Sequence, residues 1–331
     1  MYQKKFIRNL VVLPWLMAAF VPTYAAAQET VIHHAQGDTK LSAVPQKVAV
    51  FDLAALDILH ALGVKAVAGV PKTKDKPANF PPYLSEYAEP SYAAAGTLFE
   101  PDVDALRALG PDLIIVGGRS RTKFDAVAAI APSIDTTGNG SDITQIAIDN
   151  TEKLAKVFRV EEAAAKRIET LKTAVAALRT EGKAAGTGLV LFSAGRNVSA
   201  QPPGSRFGVV YDFVGIKPVM QSSDAPEGGP RPKPGSPEAE ARRVEQEKLL
   251  HDALAADPDW LFILDRSAAV GSEPSTLAEL LGKMPEVTRT RAWQQGHVVY
   301  LNAKLWYQVG AGIEALTASA QELSAALRSA K

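Results

Sequence analysis

The sequence predicts an α/β protein of two lobes, each built on a mostly parallel sheet, with a long rigid helix between them. Three observations predict this fold. Short apolar runs alternate with helical patterns in both halves, the 331 residues exceed one ordinary core, and a long amphipathic pattern lies at mid-chain. We expect the lobes at residues 28–141 and 184–331, with a helical segment at 142–183 between them.

Residues 1–27 are predicted to be a signal peptide and not part of the fold. Three basic residues precede an apolar run from Leu10 to Phe20, and a run of alanines then ends at Ala27. The uninterrupted apolar run is too short to cross a bilayer comfortably, so cleavage near Ala27 is favoured over a membrane anchor. The chain has no cysteine, which excludes disulfides and the lipid anchor of a bacterial lipoprotein. A protein of the periplasm is therefore expected.

The first half of the chain alternates predicted strands with predicted helices. A strand at 48–51 precedes a helix at 52–62, which a glycine ends. A strand at 66–70, a helix at 101–109 and a strongly apolar strand at 113–116 follow. Because strands that alternate with helices usually pair in parallel, these elements predict the sheet of the first lobe.

The middle of the chain is predicted to be helical throughout. Apolar residues recur on one helical face from Ile143 to Val157, and the pattern breaks near Arg159. A second amphipathic pattern then repeats at spacings of 4, 3, 4 and 3 from Ala164 to Leu178, without proline or glycine. This second pattern predicts the rigid helix between the lobes.

The second half repeats the alternation of strands and helices. The predicted elements, in chain order, are a strand at 189–192, a helix at 207–214, strands at 260–264 and 298–301, and a helix at 312–327. A proline- and glycine-rich stretch at 222–236 is predicted to be an exposed loop.

Four polar side chains follow predicted strands or precede a predicted helix, where open parallel sheets bind their ligands. They are Arg119, Arg206, Arg266 and Tyr307. Arginine stays charged, presents a planar fork of donors and stacks on aromatic faces. Three arginines in one cleft would suit a large, anionic, aromatic ligand such as a ferric catecholate, and Tyr307 could give its phenolate to iron.

Two aromatic residues, Phe207 and Trp306, are candidates for packing against the rings of such a ligand. Simpler interpretations exist for all of these residues. A single arginine after a strand is more often a surface or salt-bridged residue, and an aromatic pair near the C-terminus more often packs in the core.

Composition excludes binding functions that depend on bulk charge. The chain has 36 basic and 36 acidic residues, so nucleic-acid binding through a strongly basic surface is not expected. Enzyme signatures are also missing from the sequence: it has no nucleophile elbow, no phosphate-binding glycine loop and no cysteine nucleophile. The spacing of the five histidines fits no zinc site.

Several motifs resemble those of class III solute-binding proteins, which have a long helix between their lobes. The motifs are VAVFD at 48–52, GTLFEPD at 96–102, GPDLIIVGGR at 110–119, PGSRFG at 203–208, PDWLF at 258–262 and LWY at 305–307. Together they extend over nearly all of the chain after residue 27, and they resemble the branch that binds ferric catecholate and mixed-ligand siderophores.

The resemblance implies a ligand site in a cleft between the lobes. In that branch an arginine triad holds the anionic complex, and the matching positions here are Arg119, Arg206 and Arg266. A tyrosine of the second lobe can complete the iron coordination, and Tyr307 matches it. The resemblance implies no cofactor; the ligand is an Fe(III)–siderophore, which a monomeric binding protein delivers to the permease of an ABC importer.

The chain departs from this branch at two places. A histidine expected in a loop near Val244 is missing, although a hexadentate siderophore would need no ligand from the protein. Related proteins also present one acidic residue per lobe to the permease. Asp104 matches the first, whereas His251 occupies the position of the second, with Asp252 beside it.

Other functions stay open at this point. The ligand could be haem, cobalamin or another iron chelate, since haem propionates are also anions. A siderophore-processing enzyme, such as an esterase or reductase on the same scaffold, is a second alternative. A structural or signalling partner that has lost transport is a third.

Overall fold

The computed structural model describes Met1 and residues 29–73, 75, 78–222, 232–271 and 276–329. Apart from Met1, the predicted signal peptide lies outside the described residues, and so does most of the predicted loop at 222–236. Within the described ranges, no helix combines the length and the apolar character needed to cross a membrane.

The first lobe contains a hairpin and a parallel sheet. Its strands are β1 (Thr30–His34), β2 (Gly37–Leu41), β3 (Val48–Val50), β4 (Val67–Val70), β5 (Ala93–Ala94), β6 (Leu113–Val116) and β7 (Ser133–Asp135), and its helices are α1 (Leu53–Ala61), α2 (Val103–Leu109) and α3 (Phe124–Ala128), with 3₁₀ helices at Pro82–Ala88 and Arg121–Lys123. β1 and β2 pair antiparallel, and the sheet has the order β5-β4-β3-β6-β7 with every pair parallel.

Two helices follow the first sheet, α4 (Ile143–Phe158) and α5 (Glu161–Ala184). Arg159 ends α4 in the left-handed conformation with φ 55°, which accounts for the predicted break there. α5 has 24 residues and is therefore about 36 Å long. Its buried residues Leu171 and Leu178 belong to one continuous apolar cluster with Val50 of the first sheet and Phe262 of the second. The helix therefore connects the lobes through a shared core.

The second lobe contains a second sheet that is mostly parallel. Its strands are β8 (Thr187–Ala194), β9 (Asn197–Ala200), β10 (Lys217–Pro218), β11 (Trp260–Asp265) and β12 (Val298–Tyr300), and its helices are α6 (Val209–Val214), α7 (Pro237–Ala255), α8 (Arg266–Val270), α9 (Leu277–Gly282), α10 (Pro285–Thr288), α11 (Arg291–Gln294) and α12 (Ile313–Ser329), with a π-helix at Lys304–Val309. The order is β10-β8-β11-β12, and β9 pairs antiparallel with β8.

The predicted α/β class, with two mostly parallel sheets and a long connecting helix, is confirmed. The limits predicted for the lobes, 28–141 and 184–331, stay predictions. All strands of the first sheet lie before residue 136 and all strands of the second lie after residue 186, but α12 packs against α1 and α4 of the chain's first half as well as against α5.

One buried acidic residue, Asp57 of α1, fixes the start of α12. Its Oδ1 accepts a hydrogen bond from the N–H of Glu314 at 2.9 Å, and its Oδ2 accepts from the N–H of Ala315 at 3.0 Å and from the Tyr83 hydroxyl at 2.5 Å. Burial raises the pKa of Asp57 to about 6, against the three hydrogen bonds, which favour the ionised form. This carboxyl group therefore ties the last helix to the first lobe.

Candidate functional site

The turn after β6 positions Arg119. Gly117 and Gly118 end the strand, and Gly118 has a φ of 49° that favours glycine. A Cβ on Gly117 would lie 2.6 Å from the Asp52 carboxylate and equally close to the Thr136 hydroxyl, so a larger residue does not fit there. The two glycines let the chain turn at the carboxyl end of the sheet and carry Arg119 towards the second lobe.

Two turns of the second lobe position the other arginines. Arg206 lies in the turn before α6, where Gly204 has a φ of 85°. Arg266 is the first residue of α8, directly after β11, and Asp265 caps this helix by accepting the N–H of Ser267 at 2.8 Å. Local backbone structure therefore fixes the positions from which both arginine side chains extend.

The three guanidinium groups converge on Tyr307 of the π-helix. The Tyr307 carbonyl oxygen accepts hydrogen bonds from Nη2 of Arg119 at 2.6 Å and from Nη2 of Arg206 at 3.1 Å. The Tyr307 hydroxyl oxygen accepts from Nε of Arg266 at 3.0 Å. Positive groups from both lobes thus meet around one residue.

The Tyr307 ring also lies among the positive charges. The Cζ atoms of Arg119, Arg206 and Arg266 are 5.3, 4.9 and 5.9 Å from its centroid. Phe192 and Phe207 stack with each other at 4.9 Å, and both stack with Tyr307 at 6.2 and 6.1 Å. The arginines are therefore arranged around a stack of three aromatic rings.

This surrounding charge changes the acidity of Tyr307. Burial alone would raise the pKa of the phenol, but the hydrogen bond from Arg266 and the charges of Arg266, Arg119 and Arg206 lower it below its ordinary value. A phenol with a lowered pKa more readily supplies the phenolate that a hard metal ion such as Fe(III) prefers.

We expect Tyr307 to ionise before the other described tyrosines in an alkaline titration followed by tyrosinate absorbance. Burial raises the pKa of the remaining five, to about 12 for Tyr211. Tyr307→Phe should remove the earliest phase, and Arg266→Gln should move it to higher pH. An unchanged first phase in Tyr307→Phe would contradict this assignment.

A cleft of about 420 Å³ opens beside these groups and is lined by both lobes. Arg119 and Asp52 line it from the first lobe, and Arg206 and Tyr307 line it from the second. Asp52 caps α1 and accepts the Thr136 hydroxyl hydrogen bond at 2.7 Å. Burial raises the pKa of Asp52, and the charge of Arg119 opposes that shift. The cleft therefore combines the two guanidinium groups of Arg119 and Arg206 with one partly buried carboxyl.

The two aromatic candidates contribute to this wall in different ways. Phe207 belongs to the ring stack, and Trp306 packs edge-to-face on Phe213 at 5.2 Å. Both line the cleft, yet both are only 5% exposed. Their contact with a ligand stays a prediction, since what the structure shows of them is core packing.

The predicted docking residues lie on two exposed helix surfaces. Asp104 is in the first turn of α2, with its side chain 96% exposed and 3.6 Å from Arg107. His251 and Asp252 lie on the exposed face of α7, where Lys248 contacts Asp252 at 2.5 Å. Val244, near which the resemblance implies a histidine, lies in mid-α7 and is exposed.

Three residues at or beside the site are not predicted from the sequence: Phe192, Asp52 and Phe99. Phe192 is the last residue of the apolar run predicted as a strand, so its place at the strand end was available as a signal. The sequence predicts Asp52 only as the start of a helix. Phe99 lies in a turn next to the cleft, with Cζ of Arg119 5.9 Å from its ring, and periodicity gives no signal for such a residue.

Comparison with known proteins identifies the family. Residues 48–305 match the family described as periplasmic binding protein. The chain belongs to the periplasmic binding protein family. A petrobactin-binding protein, YclQ of Bacillus subtilis, is 31% identical to it over 89% of this chain and 87% of the relative. The ferric-anguibactin-binding protein FatB of Vibrio anguillarum is 27% identical over 86% of this chain and 84% of the relative.

Solved structures agree with this membership. A TroA-like periplasmic binding protein from Xylanimonas cellulosilytica has a TM-score of 0.72 and 33% identity, covering 87% of this chain and 91% of its own. The crystal structure of YclQ has a TM-score of 0.74 and 28% identity, covering 91% and 99%. The prediction that this periplasmic binding protein is a solute-binding protein of the resembled class, and not an enzyme, is confirmed.

Proposed function

We propose that this protein captures an anionic Fe(III)–siderophore, of the catecholate type, in the cleft between its lobes and delivers it to an inner-membrane ABC importer. The observation that carries the proposal is the convergence of Arg119, Arg206 and Arg266 on Tyr307. Guanidinium groups that are held close together repel one another, and an anion bound between them offsets this repulsion.

The main-chain carbonyl of Tyr307 suggests how the ligand binds. It is a neutral acceptor that two arginines share. A catecholate oxygen carries negative charge once iron has displaced its protons, and hydrogen bonds to charged acceptors are about twice as strong as neutral ones. Exchange of the carbonyl for a ligand oxygen is therefore favourable for Arg119 and Arg206. The carbonyl belongs to the π-helix, a type of element that often marks functional sites.

Tyr307 is proposed as a direct iron ligand where the chelate leaves a coordination position open. Its lowered pKa favours the phenolate, and its hydroxyl faces Arg266 at the cleft. Phe207 and Trp306 are proposed to pack against catechol rings at the same wall.

The names of the relatives support an iron chelate as ligand. One is a petrobactin-binding protein and another is a ferric-anguibactin-binding protein. An anionic iron complex of that kind matches the positive charge around Tyr307, whereas cobalamin offers no comparable set of oxyanions.

Delivery to the permease is proposed to use exposed charges on both lobes. Asp104 on α2 and the pair His251 and Asp252 on α7 are the candidate contacts. Glu247 of α7 forms an ion pair with Arg243, and Asp252 forms one with Lys248. Docking on this lobe therefore requires that permease residues replace these existing partners. We further propose that residues 1–27 direct export to the periplasm, that cleavage occurs near Ala27, and that the mature protein is a monomer.

A ligand screen by fluorescence quenching tests the proposal. The purified protein is titrated with a ferric catecholate, a ferric hydroxamate, haem and cobalamin. We expect the ferric catecholate to bind most tightly and to be recovered with unchanged mass after incubation. Tighter binding of haem or cobalamin, or hydrolysis of the chelate, would contradict the proposal.

A further inference from the structure

Phe99 is a large apolar residue that is 59% exposed, although it belongs to a well-defined turn. The N–H of Thr97 donates to the carbonyl of Glu100 at 2.8 Å, and the Thr97 hydroxyl accepts from the N–H groups of Phe99 and Glu100 at 3.2 and 3.0 Å. Gly96 has a φ of 117°, and a Cβ there would lie 2.4 Å from the Glu100 carbonyl oxygen. The turn therefore holds the ring outside the core by its own geometry.

The ring of Phe99 is directed to the arginine cluster. Cζ of Arg119 lies 5.9 Å from the Phe99 centroid and 5.3 Å from the Tyr307 centroid. One guanidinium group thus lies near an aromatic ring from each lobe. Leu98, the neighbour of Phe99, lines the cleft itself. Phe99 is consequently at the rim of the cleft on the first lobe, across from Tyr307 on the second.

An aromatic ring at this place has a specific use in recognition. Arg119 supplies charge to any anion, so charge alone does not separate an aromatic iron chelate from an aliphatic one such as ferric citrate. An exposed ring adds a flat apolar face, and aromatic pairs gain energy beyond the area that they bury. The benefit exists only for a ligand that itself carries a ring.

We propose that Phe99 is a specificity-determining residue whose ring packs against an aryl ring of the bound chelate, so that aromatic iron chelates are preferred over aliphatic ones of similar charge. The inference rests on the proposed function, because it concerns the ligand of the same cleft. It assigns to Phe99, on the first lobe, the kind of ring contact that is proposed for Phe207 and Trp306 on the second lobe.

The test compares Phe99→Leu, which keeps apolar bulk without a ring, with Phe99→Tyr, which keeps the ring. Affinities are measured by fluorescence quenching with the ferric complex of 2,3-dihydroxybenzoate, and with ferric citrate by competition. Phe99→Leu should weaken binding of the aromatic complex by about 3- to 10-fold, and Phe99→Tyr by less than about 2-fold. The affinity for ferric citrate derived from the competition should be the same for all three proteins.

Three outcomes would overturn the inference. In the first, Phe99→Leu binds the aromatic complex as tightly as the parent. In the second, Phe99→Tyr loses as much as Phe99→Leu. In the third, both variants lose affinity for ferric citrate by the same factor as for the aromatic complex. Equal thermal unfolding midpoints establish that the variants are folded. If the parent chain itself binds no aromatic iron chelate, both the proposed function and this inference are wrong. If the parent binds the chelate and Phe99→Leu binds it equally well, only the inference is wrong.

Discussion

Replacing Arg119 or Arg206 with alanine is expected to weaken binding of a ferric catecholate by about 10- to 100-fold. Each variant loses a charge-assisted hydrogen bond to a ligand oxygen and part of the positive potential of the cleft. A neutral ferric hydroxamate lacks the charge that these groups recognise, so the same variants should bind it less than about 3-fold more weakly than the parent does.

The measurement is a titration of each variant with both ligand classes at two salt concentrations. Arg243→Ala is the matched control, because it removes one positive charge from exposed α7, where Arg243 is bonded to Glu240 and Glu247. The control should bind both ligands as the parent does. Equal losses for the catecholate and the hydroxamate in Arg119→Ala would argue against a charge-based site.

Asp57→Ala is expected to lower the free energy of unfolding by about 3–5 kcal/mol. The change removes the cap of α12 and leaves the Glu314 and Ala315 N–H groups and the Tyr83 hydroxyl without their buried acceptor. Urea denaturation followed by circular dichroism measures the loss. Asp57→Asn keeps one acceptor oxygen and should lose less than Asp57→Ala.

The same residue predicts a dependence of stability on pH. Burial raises the pKa of Asp57 from 3.8 to about 6, so between these values the folded state binds more protons than the unfolded state. Stability that Asp57 confers in its protonated form is therefore lost as pH rises through this window, by about 3 kcal/mol in total. Glu314 adds negative charge nearby and acts in the same direction as burial.

Denaturation curves between pH 4 and pH 7 test this dependence. Asp57→Asn has no group to titrate at this site, so its stability should change less with pH over this range than that of the parent. A parallel dependence in both proteins would show that other groups cause it.

Much of the fold was predictable because its main strands are strongly apolar. The runs at 113–116 and 260–264 became β6 and β11, with every residue buried. Strand β7 was missed because its three residues, Ser133–Asp135, include two polar ones although all are buried. Over residues 237–249 helix α7 carries no buried side chain, and only Leu250, Ala253 and Leu254 near its end are buried, so periodicity does not identify most of this helix.

The site was predictable only in part. Strand ends and a glycine turn located Arg119 and Arg266, because the backbone geometry there follows from local sequence. The shared acceptor at the Tyr307 carbonyl depends on a π-helix, which single-sequence patterns do not predict. The place of the Phe99 ring beside Arg119 depends on how the turn at 96–101 lies against the turn after β6, and this is a tertiary property.

The cleft between the lobes is proposed to hold a negatively charged iron chelate. Native mass spectrometry of the protein purified from its own iron-starved cells tests it most directly. The expected spectrum shows one iron(III) chelate per chain, lost on replacement of both Arg119 and Arg206 by alanine. A bound haem or cobalamin, or an iron chelate retained by the double variant, would contradict the claim.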